Sequence, residues 1–262
     1  MPASERAATL PAVGTATQPR AAQLAELLRE SSSTVVLTGA GVSVPSGIPD
    51  FRTPGKGIWE KVDPMKVAHI DAFRSDPAEF WRFYRPRFEM LEGIRPNPAH
   101  AALAELERRG LIEGVITQNI DRLHRAAGSQ LVVEVHGTIA TSSCQCCDAS
   151  FPLEDVEQLF VDGVAECSLC SGLVKPDVVL FGELLPAAAM AEAQRLAEAA
   201  ELILCVGTSL EVYPVAGLPG LTLAGGGRMA LVTQGPTPYD SEAVVKLDGD
   251  VVAELDAVLA AL

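Results

Sequence analysis

Two Cys-x-x-Cys pairs constrain this chain more than any other feature. Cys144-Gln145-Cys146-Cys147 and Cys167-Ser168-Leu169-Cys170 stand 19 residues apart. Each pair can chelate from a tight turn, and four thiolates together suit one tetrahedral Zn²⁺. The chain between them must therefore double back. Residues 139–175 hold five of the six cysteines and few core-forming runs, so they are expected to form a small inserted module. The competing reading is a pair of disulfides or unrelated thiols. The first 20 residues are rich in Ala, Pro and Thr without the apolar core of a secretory signal, and a disordered tail is expected there. Structural disulfides are rare without secretion, which favours zinc. With Cys144, Cys147, Cys167 and Cys170 filling all four positions, no place is left for water or substrate, so the metal is expected to be structural. Cys146 reads as a spare thiol and Cys205, within Leu202 to Val206, as a small core residue.

Around this module the pattern is that of an α/β fold with a parallel sheet. Short β-branched runs alternate with Ala/Leu/Glu-rich stretches. Strands are expected at 34–38, 113–117, 131–135, 177–180, 201–206 and 228–233, and helices at 21–31, 76–91, 97–109, 121–127, 187–200 and 250–261. The segment 45–67 carries Pro45, Pro49, Pro54 and Pro64 with Gly47, Gly55 and Gly57, which bars regular structure for long. A loop of that length in a compact domain is usually a lid or a binding loop.

Charge narrows the partners. Against 20 basic side chains stand 34 acidic ones, a net charge of −14, which disfavours direct binding of nucleic acid. It suits a protein that meets basic peptide segments. The apolar runs are far short of a bilayer span, so no membrane partner is expected and the expected location is the cytoplasm.

Polar residues cluster where strands are expected to end. Gly39-Ala40-Gly41 follows the first strand, a place where α/β sheets receive phosphates. The dinucleotide fingerprint is incomplete, because the next glycine is Gly47 and no acid closes a second strand. Thr117-Gln118-Asn119-Ile120-Asp121, His136-Gly137-Thr138 and Gly207-Thr208-Ser209 follow three further strands. Singly, each has an ordinary reading: Asn119 or Asp121 as a helix cap, His136 as a loop histidine, Gly207 as a turn. Together they mark the carboxyl-end crevice in which open sheets bind ligands.

Taken in order, these motifs resemble the sirtuin family. The matching residues are Gly39-Ala40-Gly41-Val42-Ser43, Gly47-Ile48-Pro49-Asp50-Phe51-Arg52, Thr117 to Asp121, His136-Gly137-Thr138, the four cysteines, Lys175 to Glu183 and Gly207-Thr208-Ser209. The resemblance spans roughly residues 21 to 262. It implies a Rossmann-like NAD-binding domain at 21–138 and 176–262, with the zinc-ribbon module at 139–175 and the helical region 68–96 completing the small domain. The segment 45–67 would be the cofactor-binding loop.

The implied activity is NAD-dependent deacylation of protein lysines, with NAD consumed and one structural Zn²⁺. Products would be nicotinamide, O-acyl-ADP-ribose and free lysine. His136 would be the general base acting on a ribose hydroxyl, and Asn119 would hold the ribose and an ordered water. Ile120 and Asp121 would bind the nicotinamide carboxamide, with Ser43 and Gln118 around the ribose. Asp50, Phe51 and Arg52 would belong to the mobile loop. Gly39, Ala40, Gly41, Gly207, Thr208, Ser209, Thr233 and Val251 complete the expected NAD-binding set. Acyl-lysine proteins or peptides would add as an extra strand, with Val179 and Phe181 lining the acyl tunnel and Glu211-Val212-Tyr213 alongside.

Tyr84-x-x-Arg87 is similar to the pair by which one sirtuin class receives succinyl or malonyl carboxylates. An amphipathic helix with a surface arginine is the ordinary alternative. Three positions depart from the family pattern: Val44 in place of a small alanine, Thr53 in place of Gly or Ser, and Thr233 in place of an adenosine-contacting Asn. Mono-ADP-ribosyl transfer and a non-catalytic NAD- or acyl-lysine-binding module are the competing functions.

Overall fold

The structure is a computed structural model that describes residues 17–50 and 63–262. Residues 1–16 of the expected tail, and Phe51, Arg52 and Thr53 of the expected loop, lie outside the described residues. Helix α1 (Thr17–Glu30) leads into β1 (Thr34–Thr38). Then come α2 (Pro64–Val67), α3 (Ile70–Ser75), α4 (Pro77–Glu92), α5 (Pro98–Arg108), β2 (Gly114–Thr117), α6 (Leu123–Ala127) and β3 (Val132–Glu134). The next stretch holds β4 (Gly137–Cys144), β5 (Ser150–Pro152), α7 (Leu153–Val156), β6 (Phe160–Val161), β7 (Val164–Ala165) and β8 (Val174–Val178). The chain closes with α8 (Ala187–Ala199), β9 (Leu202–Val206), α9 (Leu218–Ala224), β10 (Arg228–Val232), β11 (Val245–Leu247) and α10 (Val251–Ala261).

Six strands form one parallel sheet in the order β11-β10-β9-β1-β2-β3. From β1 the chain runs outward to β3, leaves the sheet, and returns on the other side of β1 as β9. That is the doubly wound Rossmann order, and its topological switch point lies between β1 and β9. Side chains alternate across the sheet with period two. Val36, Val115, Leu204 and Ala230 pack on one face with α1, α5 and α10. Val35, Leu37, Ile116, Ile203, Cys205 and Leu231 pack on the other with α8 and its neighbours. Burial on both faces explains why β1 and β9 read as unbroken apolar runs.

A second sheet of three strands, ordered β5-β4-β8, is antiparallel. Its core joins Ile70, Phe73, Phe80, Trp81 and Phe88 of the helices to Ile139, Cys144, Val156, Cys167, Val174 and Val178. The α/β class with a small cysteine-bearing unit is thus realised.

The expected strand at 177–180 is corrected: the strand is Val174–Val178, and it pairs with β4 rather than joining the parallel sheet. Pro176 cannot donate to a ladder, and β8 is an edge strand where that is tolerated. Helix α9 and strand β11 are absent from the expected elements. Pro219 and Gly220 disguise the first as a loop, and β11 is too short to show a period. Helix α1 begins at Thr17 rather than 21. Among the described residues, no helix is long and apolar enough to cross a membrane.

Candidate active site

Everything at the switch point is organised by close backbone approach. The loop after β1 is clasped to the end of β9: Gly39 N–H donates to Val206 O at 3.2 Å and Gly41 N–H to Gly207 O at 2.8 Å. A Cβ on Gly39 would sit 2.8 Å from Thr208 Cβ, and one on Gly41 would sit 2.8 Å from Gly207 O. These glycines are therefore required by strand-to-strand contact within the protein itself. Gly207, at φ +60°, faces the same contact from the other side.

On that platform stands a buried polar network. Registry between β1 and β2 sets Thr38 opposite Thr117, and their hydroxyls bond at 2.8 Å. Thr117 Oγ1 accepts the Asn119 backbone N–H at 3.0 Å. Asn119 Nδ2 donates to Gly39 O and to Ser43 Oγ, each at 3.1 Å. Ser43 donates to Asp121 Oδ2 at 2.6 Å, and Asp121 Oδ1 takes the Leu123 N–H at 2.9 Å. Gln118 Nε2 reaches Thr208 Oγ1 at 2.9 Å, joining the ends of β2 and β9. Ser43, Asn119 and Thr208 are buried. Such density of satisfied polar groups in a low-dielectric region specifies one arrangement.

His136 follows β3 and packs beside this cluster. Its Nδ1 lies 3.0 Å from Gln118 O. A carbonyl only accepts, so Nδ1 carries the proton and Nε2 keeps its lone pair. Burial pushes the imidazole pKa below its ordinary value, with the Gln118 carbonyl opposing. The ring is thus a neutral base at pH 7. Val179 N–H donates to His136 O at 2.9 Å, which ties the segment after β8 to the histidine.

The remaining expected residues are placed as follows. Ile120 packs against the core of the small unit. Phe181 is exposed and pairs with the chain at His69, its N–H donating to Ala68 O at 2.8 Å. Val212 O accepts the Ala216 N–H at 2.9 Å beside the exposed Tyr213. Ser209 is exposed and Ala40 half-buried on their turns. Asp50, half-buried, sits at the end of the described loop. Thr233 lies at the end of β10, buried, its N–H bonded to Leu247 O at 3.0 Å. Val251 opens α10 and packs against the core under the sheet. Neither of the last two shares a hydrogen bond with the Ser43 cluster.

Tyr84 and Arg87 lie one turn apart on α4. Tyr84 stacks between Phe80 and Phe88, with ring centroids at 4.6 and 5.5 Å. Burial raises its phenol to about 12, and the Arg87 charge pulls the other way. The Arg87 guanidinium also lies 3.5 Å from the Phe83 ring centroid and donates to Phe83 O.

Four residues of the network escape a reading by strand ends: Thr38, Asn97, His100 and His124. Thr38 looks like strand, and Asn97 and His100 look like the start of a helix, which they also are. Lys175 and Glu183 belong to a motif whose roles composition does not reveal. Lys175, 6% exposed, donates to Pro176 O at 2.9 Å and Val178 O at 2.8 Å, and it pairs with Glu183 at 3.1 Å. That clasp fixes the turn carrying Val179 and Phe181.

The four thiols converge. All lie within 4.8 Å of one another. Sulfur separations are 3.5 Å for Cys144–Cys170, 3.7 Å for Cys147–Cys167 and 3.4 Å for Cys147–Cys170. A tetrahedron with Zn–S of about 2.3 Å has edges of about 3.8 Å, so the set fits Zn²⁺. The two knuckles are built alike. Cys146 N–H points to Cys144 Sγ at 3.3 Å and Leu169 N–H to Cys167 Sγ at 3.4 Å. Asp148 and Ser171, each just after its pair, turn the chain at φ +56° and +57°.

Comparison with known proteins agrees with this geometry. An NAD-dependent protein deacetylase of Thermotoga maritima is 48% identical over 229 residues, covering 87% of this chain and 92% of that one. An NAD-dependent protein deacylase of Pyrobaculum aerophilum is 44% identical over 230 residues, covering 86% and 89%. A solved structure of Sir2 bound to acetylated peptide superposes with a TM-score of 0.84 at 43% identity, covering 91% of this chain and 96% of that one. A Sir2–p53 peptide–NAD⁺ structure gives 0.83 at 45% identity with the same coverage. A family model described as Sir2 family matches residues 39–214, from the first glycine loop, through the cysteine knuckles, to the turn after β9. The chain belongs to the Sir2 family.

Proposed function

We propose that this chain is an NAD-dependent protein-lysine deacylase that removes acetyl groups. The observation that carries the reading is the neutral His136, with its free Nε2, beside the fixed Asn119–Ser43–Asp121 cluster at the switch point. Structures of relatives with acetylated peptide and with NAD⁺ support it. Neither ADP-ribosyl transfer nor a binding module is favoured by those relatives.

In the proposed reaction, NAD and an acyl-lysine peptide enter as substrates. The acyl carbonyl oxygen bonds to the anomeric carbon of the nicotinamide ribose as the bond to nicotinamide breaks. His136 Nε2 then takes a proton from a ribose hydroxyl, and that oxygen receives the acyl group. The acyl C–N bond breaks as the lysine nitrogen leaves with a proton, and a water oxygen adds to the acyl carbon, giving O-acyl-ADP-ribose and free lysine. Asn119 has both amide hydrogens committed, so its Oδ1 is the group it can offer to a ribose hydroxyl or water. Ile120 and Asp121 would face the nicotinamide carboxamide, and Ser43 and Gln118 the ribose, with Thr208 beside Gln118. Gly39, Ala40, Gly41 and Ser209 would approach the phosphates. The peptide would lie between the sheet domain and the zinc module, along Phe181 and Val212.

Bound to Cys144, Cys147, Cys167 and Cys170, zinc would supply structure alone, because its four positions are filled by protein. A cytoplasmic location is proposed because four reduced thiolates need a reducing compartment.

The placement of Tyr84 and Arg87 one turn apart on α4 favours a second acyl class, carboxylated groups such as succinyl or malonyl. The test of the main reading is direct. Purified protein, NAD and an acetyl-lysine peptide should yield nicotinamide and free lysine together. No nicotinamide release with any acyl-lysine peptide would overturn it.

A further inference from the structure

Helix α4 carries Tyr84 and Arg87 on either side of Pro86. Proline brings no backbone N–H for the carbonyl four residues back, Arg82 O, and a helix is weakened at such a place. The stretch that carries Tyr84 and Arg87 therefore lacks one of its hydrogen bonds. Helix geometry alone is a poor guarantee of how the two side chains stand to each other. Side-chain contacts must supply the rest.

Phe83 supplies them. Its ring meets that of Tyr84 edge to face, with centroids 5.0 Å apart and planes at 81°. The Arg87 guanidinium carbon lies over the same ring, 3.5 Å from its centre, which is van der Waals contact. Arg87 Nη1 also donates to Phe83 O. One residue thus touches both Tyr84 and Arg87. The neighbouring arginines are engaged differently: Arg82 pairs with Glu79, and Arg85 with Glu157 and Glu89. Among the described residues, Arg87 has no carboxylate partner. A guanidinium covered on one face by a ring and tied at one nitrogen keeps its other N–H groups along an edge. A carboxylate binds such an edge in bidentate fashion.

We infer that Phe83 is a positioning residue that sets the preference for carboxylated acyl groups, by holding the Arg87 guanidinium in fixed relation to Tyr84. This inference rests on the reading of Tyr84 and Arg87 as the receptor of an acyl carboxylate. A free arginine side chain loses rotamer freedom when it binds; one already ordered on Phe83 has less to lose. The carboxylate lies away from the reacting carbonyl, so its contact is the same before and during reaction and acts on KM. An acetyl group has no carboxylate and gains nothing from the arrangement.

Two substitutions test the ring. Phe83→Leu keeps apolar bulk and removes the aromatic face, whereas Phe83→Tyr keeps that face. With a succinyl-lysine peptide, Phe83→Leu should raise KM about three- to tenfold at unchanged kcat, the worth of ordering one long side chain. Its kcat/KM on an acetyl-lysine peptide should stay within about twofold, and Phe83→Tyr should match wild type on both peptides. In an Arg87→Met background, Phe83→Leu should leave the succinyl-to-acetyl ratio where it was. Equal losses on the two peptides would make Phe83 mere packing and overturn the inference. So would a loss in Phe83→Tyr as large as in Phe83→Leu, or a lower succinyl KM in Phe83→Leu. Should Phe83→Leu fail to fold, the wild-type proton spectrum decides: ring current should move the Arg87 side-chain resonances upfield, and unshifted resonances overturn the contact. A ratio that falls in Arg87→Met but not in Phe83→Leu sinks this inference alone. A ratio unchanged in Arg87→Met sinks the carboxylate reading of Tyr84 and Arg87, and the inference with it.

Discussion

The Ser43 hydroxyl donates to Asp121 Oδ2 at 2.6 Å, although the two residues follow different strands. Parallel pairing of β1 with β2, in which Thr38 lies opposite Thr117, brings the two loops side by side at the carboxyl end of the sheet. The same register puts Val206 opposite Thr38, which adds Gly207 and Thr208 to the site. The sheet register therefore assembles three sequence clusters.

Loss of the base should separate chemistry from binding. His136→Ala is expected to reduce deacetylation by about 10²–10⁴-fold while ADP-ribose still binds. Nicotinamide release and calorimetric titration of ADP-ribose check the two halves. Unchanged turnover would remove His136 from the proton transfer.

Acidification should destabilise the protein through its buried imidazoles. Burial lowers His100 to about 4, with Asp121 opposing. Burial, then the neighbouring His100, lowers His124 to about 3. In the unfolded chain both take up protons near 6.5, so protons favour unfolding between that value and the folded ones. Stability from these groups is complete above about pH 6.5 and falls by about 1.4 kcal/mol per imidazole for each pH unit below it. Denaturant melts from pH 7.5 to 5 should show this slope, and His124→Leu should make it shallower. A parallel profile for that variant would assign the slope elsewhere.

Zinc should be stoichiometric and removable only with unfolding of its module. Cys147→Ala is expected to lose the metal and to lower the melting temperature, since such sites supply roughly 10–16 kcal/mol of apparent binding energy in small peptides. Metal analysis and thermal melts measure both. A stable, zinc-free and active Cys147→Ala protein would contradict the structural role.

Arg87→Met should cost desuccinylation far more than deacetylation. Removing a charge-assisted bond to a carboxylate is worth about 1.5–3 kcal/mol, or about ten- to a hundredfold in kcat/KM. Matched acetyl- and succinyl-lysine peptides make the comparison. Equal losses on both would leave Arg87 as packing on Phe83, where its guanidinium already stacks.

Gly137→Ala should be poorly tolerated beside His136. Its φ is +79°, and an added Cβ would collide with Asp177 O across β4 and β8. A loss of about 3 kcal/mol or more, roughly 10 °C in melting temperature, is expected from strain and clash together. A wild-type melting curve would show that the backbone yields more easily than its packing suggests.

By itself the sequence determined what local chemistry can announce. The Cys-x-x-Cys spacing named a tetrahedral metal site, because chelation from a tight turn is a local property. Unbroken apolar runs announced strands buried on both faces, and polar residues just after them announced the crevice. Tertiary structure decided which groups complete one another. Gly39 and Gly41 are needed because the end of β9 presses against them, a contact between chain segments far apart in sequence. Val174–Val178 joins an antiparallel sheet because β4 offers it a partner there, which a short apolar run cannot reveal. Above all, His100 and His124 look like ordinary helix residues until α5 and α6 pack them beneath Ser43 and Thr38. A hydrogen bond depends on direction and distance in three dimensions, and only the folded chain fixes both.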